Sequence, residues 1–314
     1  MAPVAETERV GALADRARGA LLGLACGDAL GTTVEFRARG SFVPVTDMVG
    51  GGQFGLRPGE WTDDTSMALC LAESLVTCAG FDARDQMQRY CRWMDEAYLS
   101  SNGKCFDIGN ATGSALRRFQ RTGEPFSGST DPHSAGNGSL MRLAPIPIWR
   151  HASLAEAVFY SGESARTTHG AAECVAATRL FGAMLCCALA GQPKEQVLAP
   201  ASWRAEVGAL PTPALQAIAD GAYRGKREAE IRSGGYVVHT LEAALWCVTT
   251  TGTYAEAVLR AANLGDDADT VAAVTGQLAG ALYGADAIPR AWRERLVMVD
   301  RIVALADALL AIGR

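Results

Sequence analysis

The sequence lacks the features by which several common classes of protein are recognised. Aromatic residues are scarce, at 7% of the chain, and no stretch is rich in lysine and arginine, the net charge being −5. A nucleic-acid partner is disfavoured, because such partners are held mainly by clustered positive charge. The amino terminus has no apolar core of a secretory signal, and no run of about 18 apolar residues is free of charges and helix breakers. We therefore expect no membrane contact.

Paired cysteines and strand patterns are absent as well. The nine cysteines are scattered, none forms a CxxC pair, and none lies near histidine at the spacing of a zinc site. Free thiols of this kind are typical of the reducing cytoplasm, where we expect the protein to reside. Alternation of polar and apolar residues, which would indicate strands, does not appear, and no repeat of fixed period is seen. The pattern favours an all-helical protein.

Apolar residues recur at helical spacing along most of the chain. This periodicity predicts about ten helices, over residues 10–30, 64–78, 83–98, 109–122, 154–164, 171–190, 237–249, 254–262, 270–283 and 289–312. The 34 glycines and the alanine-rich runs indicate closely packed helices with small side chains at their contacts. We interpret residues 11–314 as one compact all-α domain after a loose tail over residues 1–10; a division near residue 150 is an alternative. The long loop over residues 37–61 has a length that is typical of functional loops.

Two acidic clusters stand at predicted helix starts. Thr62-Asp63-Asp64 ends the long loop, and Asp267-Ala268-Asp269-Thr270 follows a second loop. Each cluster alone is explained by helix capping, because an N-cap oxygen and early acidic residues suit the positive end of a helix. Both clusters carry more negative charge than capping requires. If the two helix starts meet, their carboxylates are tolerable only with cations between them, and oxygen ligands select Mg²⁺, Mn²⁺ or Ca²⁺.

An ordered series of short motifs resembles the ADP-ribosylglycohydrolase family, which includes the dinitrogenase reductase-activating glycohydrolase and the arginine ADP-ribosylhydrolases. The motifs are Gly27-Asp28-Ala29-Leu30-Gly31 through Val34-Glu35-Phe36, Trp61-Thr62-Asp63-Asp64-Thr65, Phe106-Asp107-Ile108-Gly109, Gly136-Asn137-Gly138-Ser139-Leu140-Met141-Arg142, Thr168-His169 and Gly265–Thr270. Each motif alone is modestly specific, whereas the ordered set, spanning nearly the whole chain, is strongly so. The resemblance implies an all-α fold with a binuclear Mg²⁺ or Mn²⁺ centre in a cleft.

The resemblance also implies a set of metal ligands. They are oxygen-bearing side chains of the two acidic clusters and the glutamate of a mobile loop: Glu35, Thr62, Asp63, Asp64, Asp267, Asp269 and Thr270. Five carboxylates then face four positive charges from two divalent ions, which is close to balance. Asp266 stands where the family often has glycine, and we expect it to point outward or to contact a metal ligand without binding the metal. We expect Asp28 to contact a metal ligand or a helix end and not to bind a metal itself.

ADP-ribose is the ligand that the resemblance implies. The expected contacts are a glycine-rich loop whose backbone N–H groups can face a diphosphate, a histidine near the ribose, and an aromatic residue that stacks on adenine: Ser134, Gly136, Asn137, Gly138, Ser139, Met141, His169 and Tyr236. From the residues alone, the glycine-rich loop is equally a plain turn. A lone histidine is more often a structural residue, and a single tyrosine on an apolar segment is equally a core residue.

Asp107 bears on the leaving group. Phe106-Asp107-Ile108-Gly109 looks like the dinitrogenase reductase-activating branch of the family, and a carboxylate here can bind a guanidinium group in bidentate fashion. An ordinary N-cap before the helix over residues 109–122 is the alternative. The resemblance favours arginine-linked over serine-linked ADP-ribose.

The predicted function is that of a metal-dependent hydrolase, which releases ADP-ribose from an ADP-ribosylated protein by cleaving the N-glycosidic bond to arginine. The candidate catalytic residues are Glu35, Asp64, Asp269 and Asp107, the general base being Glu35 or a metal-bound aspartate. Serine-linked, nucleic-acid-linked and small-molecule ADP-ribose are alternative substrates. A protein that only binds ADP-ribose, or a crystallin-like relative, is the alternative from another class.

Overall fold

Helices make up the regular structure of residues 2–313, the part of the chain that this computed structural model describes; side chains are described over residues 10–313. No β-sheet forms among these residues, where three isolated bridges join loops. The α-helices are α1 Ala2–Gly31, α2 Asp63–Thr77, α3 Ala83–Glu96, α4 Asn110–Thr122, α5 Gly138–Met141, α6 Pro145–Trp149, α7 Leu154–Thr168, α8 Ala172–Leu189, α9 Lys194–Val197, α10 Arg204–Val207, α11 Pro213–Ala219, α12 Val237–Thr249, α13 Tyr254–Ala262, α14 Ala268–Tyr283, α15 Arg290–Arg295 and α16 Val299–Ile312. The expected all-α single domain is confirmed.

Small residues bring α1 and α14 into backbone contact. Added Cβ atoms at Gly19, Gly23 and Gly27 of α1 would lie 2.3, 2.2 and 2.1 Å from carbonyl oxygens of α14. At Gly276 and Gly280 of α14 they would lie 2.0 and 1.9 Å from carbonyl oxygens of α1. No side chain larger than hydrogen fits at these five positions, so the two helices pack as closely as their backbones permit. This packing confirms the small helix contacts expected from the composition.

The helix α8 forms much of the core. It packs against α1, α7, α12 and α14, which come from both sides of residue 150. The helix is long and apolar enough to cross a membrane, but 78% of it is buried inside the protein, as is usual for the core helix of a globular fold. The polar, proline-rich segment over residues 192–232 forms α9–α11 and short turns, and its Trp203 and Tyr223 side chains are buried.

Two of the differences from the predicted helices have a local cause. The helix α1 begins at Ala2, within the stretch predicted as a loose tail, because the alanine, glutamate and arginine residues there are strong helix formers. The single helix predicted over residues 289–312 is divided into α15 and α16. Met298 takes a left-handed backbone, with φ at 58°, and this conformation interrupts a right-handed helix.

Alanine substitution at two glycines of α1 tests the backbone contact. We expect Gly23→Ala to destabilise the protein by about 2 kcal/mol, because the new Cβ would overlap the Gly276 carbonyl oxygen. Gly11→Ala is the matched control, since nothing lies within 4 Å of the new Cβ. It should be neutral or stabilising by up to about 1 kcal/mol. Urea unfolding measures both, and equal effects would contradict the contact.

Candidate active site

The N-termini of α2 and α14 meet, and the two acidic clusters converge there. The Thr62 hydroxyl oxygen, just before α2, lies 3.3 Å from Asp269 Oδ2, although the two residues are 207 positions apart. The Thr270 hydroxyl of α14 donates to Asp64 Oδ1, also at 3.3 Å. The convergence that the residue spacing left open is confirmed.

Two loop residues complete the cluster. Glu35, 4% exposed, lies on the turn after α1, and one carboxylate oxygen each of Glu35, Asp267 and Asp269 lie within 4.8 Å of one another. Asp107, on the loop before α4, lines the same cleft as Glu35 and Asp269. It does not cap α4, whose N-cap residue is Gly109. The capping interpretation of Asp107 is therefore wrong.

Helix capping does not account for the two acidic clusters. Neither Thr62, the N-cap residue of α2, nor Asp267, the N-cap residue of α14, makes a side-chain capping bond. Each helix end supplies roughly half a positive charge, which is small against the carboxylates of both clusters and of Glu35. Most of the negative charge is therefore left uncompensated by the helices.

Burial makes the ionised cluster unfavourable in the absence of cations. Burial, followed by the charge of Asp107, raises the pKa of Glu35 to about 10. Burial raises the pKa of Asp107 to about 7 and keeps the pKa values of Asp63, Asp64 and Asp269 well above their usual range. Within residues 10–313, none of these carboxylates forms an ion pair with lysine or arginine. The cluster needs positive charge that the neighbouring side chains do not provide.

Unpaired oxygen atoms show where that charge fits. Glu35 Oε2, Asp64 Oδ2 and Asp269 Oδ1 are buried without a hydrogen-bond partner among the described residues. Burying a polar oxygen without a partner is costly, and hard divalent ions prefer oxygen-only ligand sets of this kind. The acidic cluster is therefore suited to hold metal ions.

Asp28 ties the end of α1 to the start of α2. Its Oδ1 accepts from the backbone N–H and the hydroxyl of Thr62, both at 2.9 Å. Its Oδ2 accepts from the backbone N–H and the hydroxyl of Thr65, at 3.0 and 2.6 Å. These bonds fill its acceptor positions, so Asp28 serves as the cap that α2 lacks locally and is not free for a metal, as expected.

The position of Asp266 also matches the expectation. Its side chain is exposed and accepts from the Ser233 hydroxyl at 3.1 Å. Its backbone takes the left-handed conformation, with φ at 56°, which explains why glycine suits this position.

The glycine-rich loop lies beside the acidic cluster. The side-chain amide of Asn137, just before α5, donates to Asp267 Oδ2 at 2.7 Å and to Thr240 Oγ1 at 2.8 Å. Tyr236 lies next to this loop, and its hydroxyl donates to Glu173 at 2.6 Å, which fixes the orientation of the ring. The loop that could hold a diphosphate is thus joined directly to a candidate metal ligand.

One cleft of about 1690 Å³ is lined by both the acidic cluster and most of the predicted ADP-ribose contacts: Ser134, Gly136, Asn137, Gly138, Met141, His169 and Tyr236. This volume exceeds the roughly 300–1,000 Å³ of an ordinary small-molecule pocket, so the cleft has room for an extended ligand. Ser139 is the exception, because the short helix α5 turns its side chain toward α8. The buried Ser139 hydroxyl accepts there from Thr178 at 2.8 Å.

Arg142 belongs to a predicted motif, but no role was predicted for it. It is fully buried and donates to the Gly138 carbonyl oxygen at 2.9 Å and to the Thr168 hydroxyl at 2.7 Å. The same hydroxyl lies 2.8 Å from His169 Nδ1. The hydroxyl accepts from Arg142 and can donate its own hydrogen to Nδ1. In that tautomer the imidazole N–H is at Nε2, on the side of Gly138. Burial, followed by the charge of Arg142, lowers the pKa of His169 to about 3, so the ring is neutral.

These features define a class of protein: an all-α fold with a buried carboxylate centre beside a glycine-rich loop that suits an anion. The profile of the family described as ADP-ribosylglycohydrolase matches residues 10–314. The chain belongs to the ADP-ribosylglycohydrolase family.

Similar proteins are named for hydrolysis of ADP-ribosyl bonds. The chain is 48% identical to ADP-ribosylarginine hydrolase Tri1 of Serratia proteamaculans, over 94% of this chain and 79% of that protein. It is 34% identical to the ADP-ribosyl-(dinitrogen reductase) glycohydrolase of Rhodospirillum rubrum, over 95% and 97%. A solved structure described as ADP-ribosylglycohydrolase-related protein complex superposes with a TM-score of 0.85 at 45% identity, covering 96% of this chain and 99% of that one.

Substitution of Asp28 tests whether the link between α1 and α2 supports the metal site. Asp28→Asn should lower stability by about 2 kcal/mol and weaken Mg²⁺ binding by about tenfold, because an amide offers one acceptor oxygen to four donors. Asp82→Asn is the control, since Asp82 caps α3 and does not line the cleft. Calorimetric Mg²⁺ titration and urea unfolding separate the two effects, and unchanged Mg²⁺ affinity in Asp28→Asn would refute the link.

Metal removal should make stability depend on pH. Acids whose folded pKa lies above the unfolded value, such as Asp107 at about 7 against 3.8, stabilise the fold below the unfolded pKa. That contribution is lost as pH rises through the folded value. The melting temperature of the EDTA-treated protein should therefore fall between about pH 5 and about pH 8, and Mg²⁺ should raise it more at about pH 8. An equal Mg²⁺ effect at both pH values, measured by calorimetry, would contradict this account.

Proposed function

We propose that the protein hydrolyses the N-glycosidic bond between ADP-ribose and the guanidinium group of an arginine side chain in an ADP-ribosylated protein, releasing ADP-ribose. Membership of the ADP-ribosylglycohydrolase family supports the reaction class. Two relatives at 48% and 50% identity are named ADP-ribosylarginine hydrolases, which supports the linkage. The observation that carries the proposal is that Asp107 lines the cleft together with Glu35 and Asp269.

Asp107 is placed to recognise the leaving group. A planar guanidinium group donates two parallel hydrogen bonds to a carboxylate, and such pairs are stronger than neutral hydrogen bonds. Asp107 lines the cleft at the acidic cluster and is not used as a helix cap. A bound guanidinium would also favour the ionised form of this carboxyl, which burial otherwise disfavours.

We further propose that the cluster holds two Mg²⁺ or Mn²⁺ ions, through the carboxylates of Glu35, Asp63, Asp64, Asp267 and Asp269 and the hydroxyls of Thr62 and Thr270. Bound ions of this kind supply Lewis-acid stabilisation and lower the pKa of a bound water. Glu35 Oε2 and Asp269 Oδ1 have no hydrogen-bond partner among the described residues. One of these oxygens would take the proton from the attacking water.

The remaining cleft residues would hold the ADP-ribose moiety. In the loop over residues 134–138, the backbone N–H groups of Ser134, Gly136 and Asn137 already donate to backbone carbonyls. The diphosphate would therefore be bound by the N–H groups of Ala135 and Gly138 and by Nε2 of His169, all three residues lining the cleft. A neutral histidine donor can bind an anion without titrating in the physiological range, since its pKa is lowered to about 3. Tyr236, held by Glu173, would stack on the adenine.

A protein that only binds ADP-ribose is the second candidate. It would have no need of unpaired buried carboxylates, which are costly to keep. The retention of Glu35, Asp64 and Asp269 with unpaired oxygens favours an enzyme.

Asparagine substitutions of two cluster aspartates test the catalytic assignment. Asp64→Asn and Asp269→Asn should each reduce the release of ADP-ribose by about a thousandfold or more, because each removes a ligand charge. Both variants should remain folded, since each also removes repulsion in the buried cluster. Circular dichroism checks the fold. Undiminished ADP-ribose release by either variant in Mg²⁺-replete buffer would refute the assignment.

The linkage is decided in the same assay with three substrates. The wild-type protein, with Mg²⁺ or Mn²⁺, is given arginine-, serine- and DNA-linked ADP-ribose, and released ADP-ribose is quantified by chromatography. The arginine-linked substrate should be hydrolysed at least about a hundredfold faster than the others. Faster release of ADP-ribose from serine or DNA would show that the proposed arginine linkage is wrong.

A further inference from the structure

Three phenylalanines form a cluster beside the cleft, which Phe36 lines and the other two do not, and none of them has a role in the proposed metal or ADP-ribose binding. The ring centroids of Phe36 and Phe54 are 6.3 Å apart, and those of Phe54 and Phe106 are 5.1 Å apart. Phe36 is 59% exposed, and the other two are half-buried. We call Phe36, Phe54 and Phe106 the aromatic rim.

The rim adjoins the end of the cleft where the leaving group is expected. Phe36 directly follows Glu35, and Phe106 directly precedes Asp107. The glycine-rich loop meets the cluster elsewhere, through the hydrogen bond from Asn137 to Asp267. ADP-ribose bound along the glycine-rich loop would therefore leave the modified side chain, and the polypeptide that carries it, on the side of the rim.

The backbone holds the rim residues in place before any ligand binds. Phe36 has a left-handed backbone, with φ at 61°, which is rare for a bulky residue, and its N–H donates to the Asp266 carbonyl oxygen at 2.7 Å. Phe54 lies at the tip of a tight turn closed by two hydrogen bonds between Gly51 and Leu56, at 2.7 and 2.9 Å. The rings are thus kept at the surface instead of folding into the core.

We propose that the aromatic rim binds the polypeptide that flanks the ADP-ribosylated side chain and so favours protein substrates over free ADP-ribosyl-arginine. This proposal rests on the proposed function. Rigid aromatic rings offer a large apolar contact area at low entropic cost and are enriched at the centres of protein interfaces. Free ADP-ribosyl-arginine has no flanking polypeptide to reach the rim, so the rim contributes to KM only for proteins.

The test compares Phe54→Ala with the wild type on two substrates, free ADP-ribosyl-arginine and a folded arginine-ADP-ribosylated protein. Phe54 is chosen because it neither lines the cleft nor adjoins a cluster carboxylate. Phe54→Ala should raise KM for the protein by about fivefold and leave kcat/KM for the free amino acid within about twofold. Phe54→Tyr should restore the wild-type KM. Phe159→Ala, which removes an exposed phenylalanine on α7, is the control and should change neither KM for the protein nor kcat/KM for the free amino acid.

Three results would overturn the proposal: an equal loss on both substrates, an unchanged KM for the protein, or a dimer of the wild-type chain that Phe54→Ala dissociates in sedimentation. A binding measurement separates this failure from that of the proposed function. In the Asp64→Asn background, affinity for the ADP-ribosylated protein should fall about fivefold on adding Phe54→Ala, while affinity for free ADP-ribose stays constant. If the affinity changes in this way but the wild type releases no ADP-ribose from arginine, the role of the aromatic rim is supported and the proposed function is refuted.

Discussion

Carboxyl groups from four separate parts of the chain share the space between the N-termini of α2 and α14, where burial opposes their ionisation. The helix ends offset only a small part of their charge. The repulsion between these groups governs the surrounding structure, because the backbone on either side must be held firmly enough to keep them together. The fold does this through contacts that tolerate almost no change.

One such contact is the close packing of α1 against α14 at their five glycines, which sets the position of Asp267 and Asp269 relative to the end of α1. Asp28, near that end, then binds the start of α2 through Thr62 and Thr65. The two acidic clusters are therefore positioned from a common helix. Buried Arg142 plays a comparable part at the glycine-rich loop, where it links the Gly138 carbonyl to Thr168 and, through Thr168, to His169.

Local sequence rules predicted the helices well, because apolar periodicity depends only on neighbouring residues. The interruption at Met298 was missed, since a left-handed residue there leaves no mark in the apolar pattern. Ser139 was misplaced for a related reason: a helix of one turn decides which of two adjacent side chains faces the cleft. The role of Asp107 was ambiguous because an aspartate before a helix can be either its N-cap or a cleft carboxylate. The sequence cannot distinguish the two until the first residue of α4 is known.

Contacts between residues far apart in the sequence could be found only from the structure or from the family resemblance. Nothing in the spacing of Thr62 and Asp269 indicates that they touch, and nothing local predicts that Phe36, Phe54 and Phe106 lie together. The charge argument could show that the clusters, if joined, would need cations. It could not show that they join.

The central claim is that the buried carboxylates exist to hold divalent ions, and anomalous diffraction from crystals grown with Mn²⁺ tests it most directly. The account predicts two Mn²⁺ peaks among the oxygens of Glu35, Asp63, Asp64, Asp267 and Asp269. Both peaks should be absent from crystals of a double variant that carries Asp64→Asn and Asp269→Asn. A wild-type map with no Mn²⁺ peak in this cluster would contradict it.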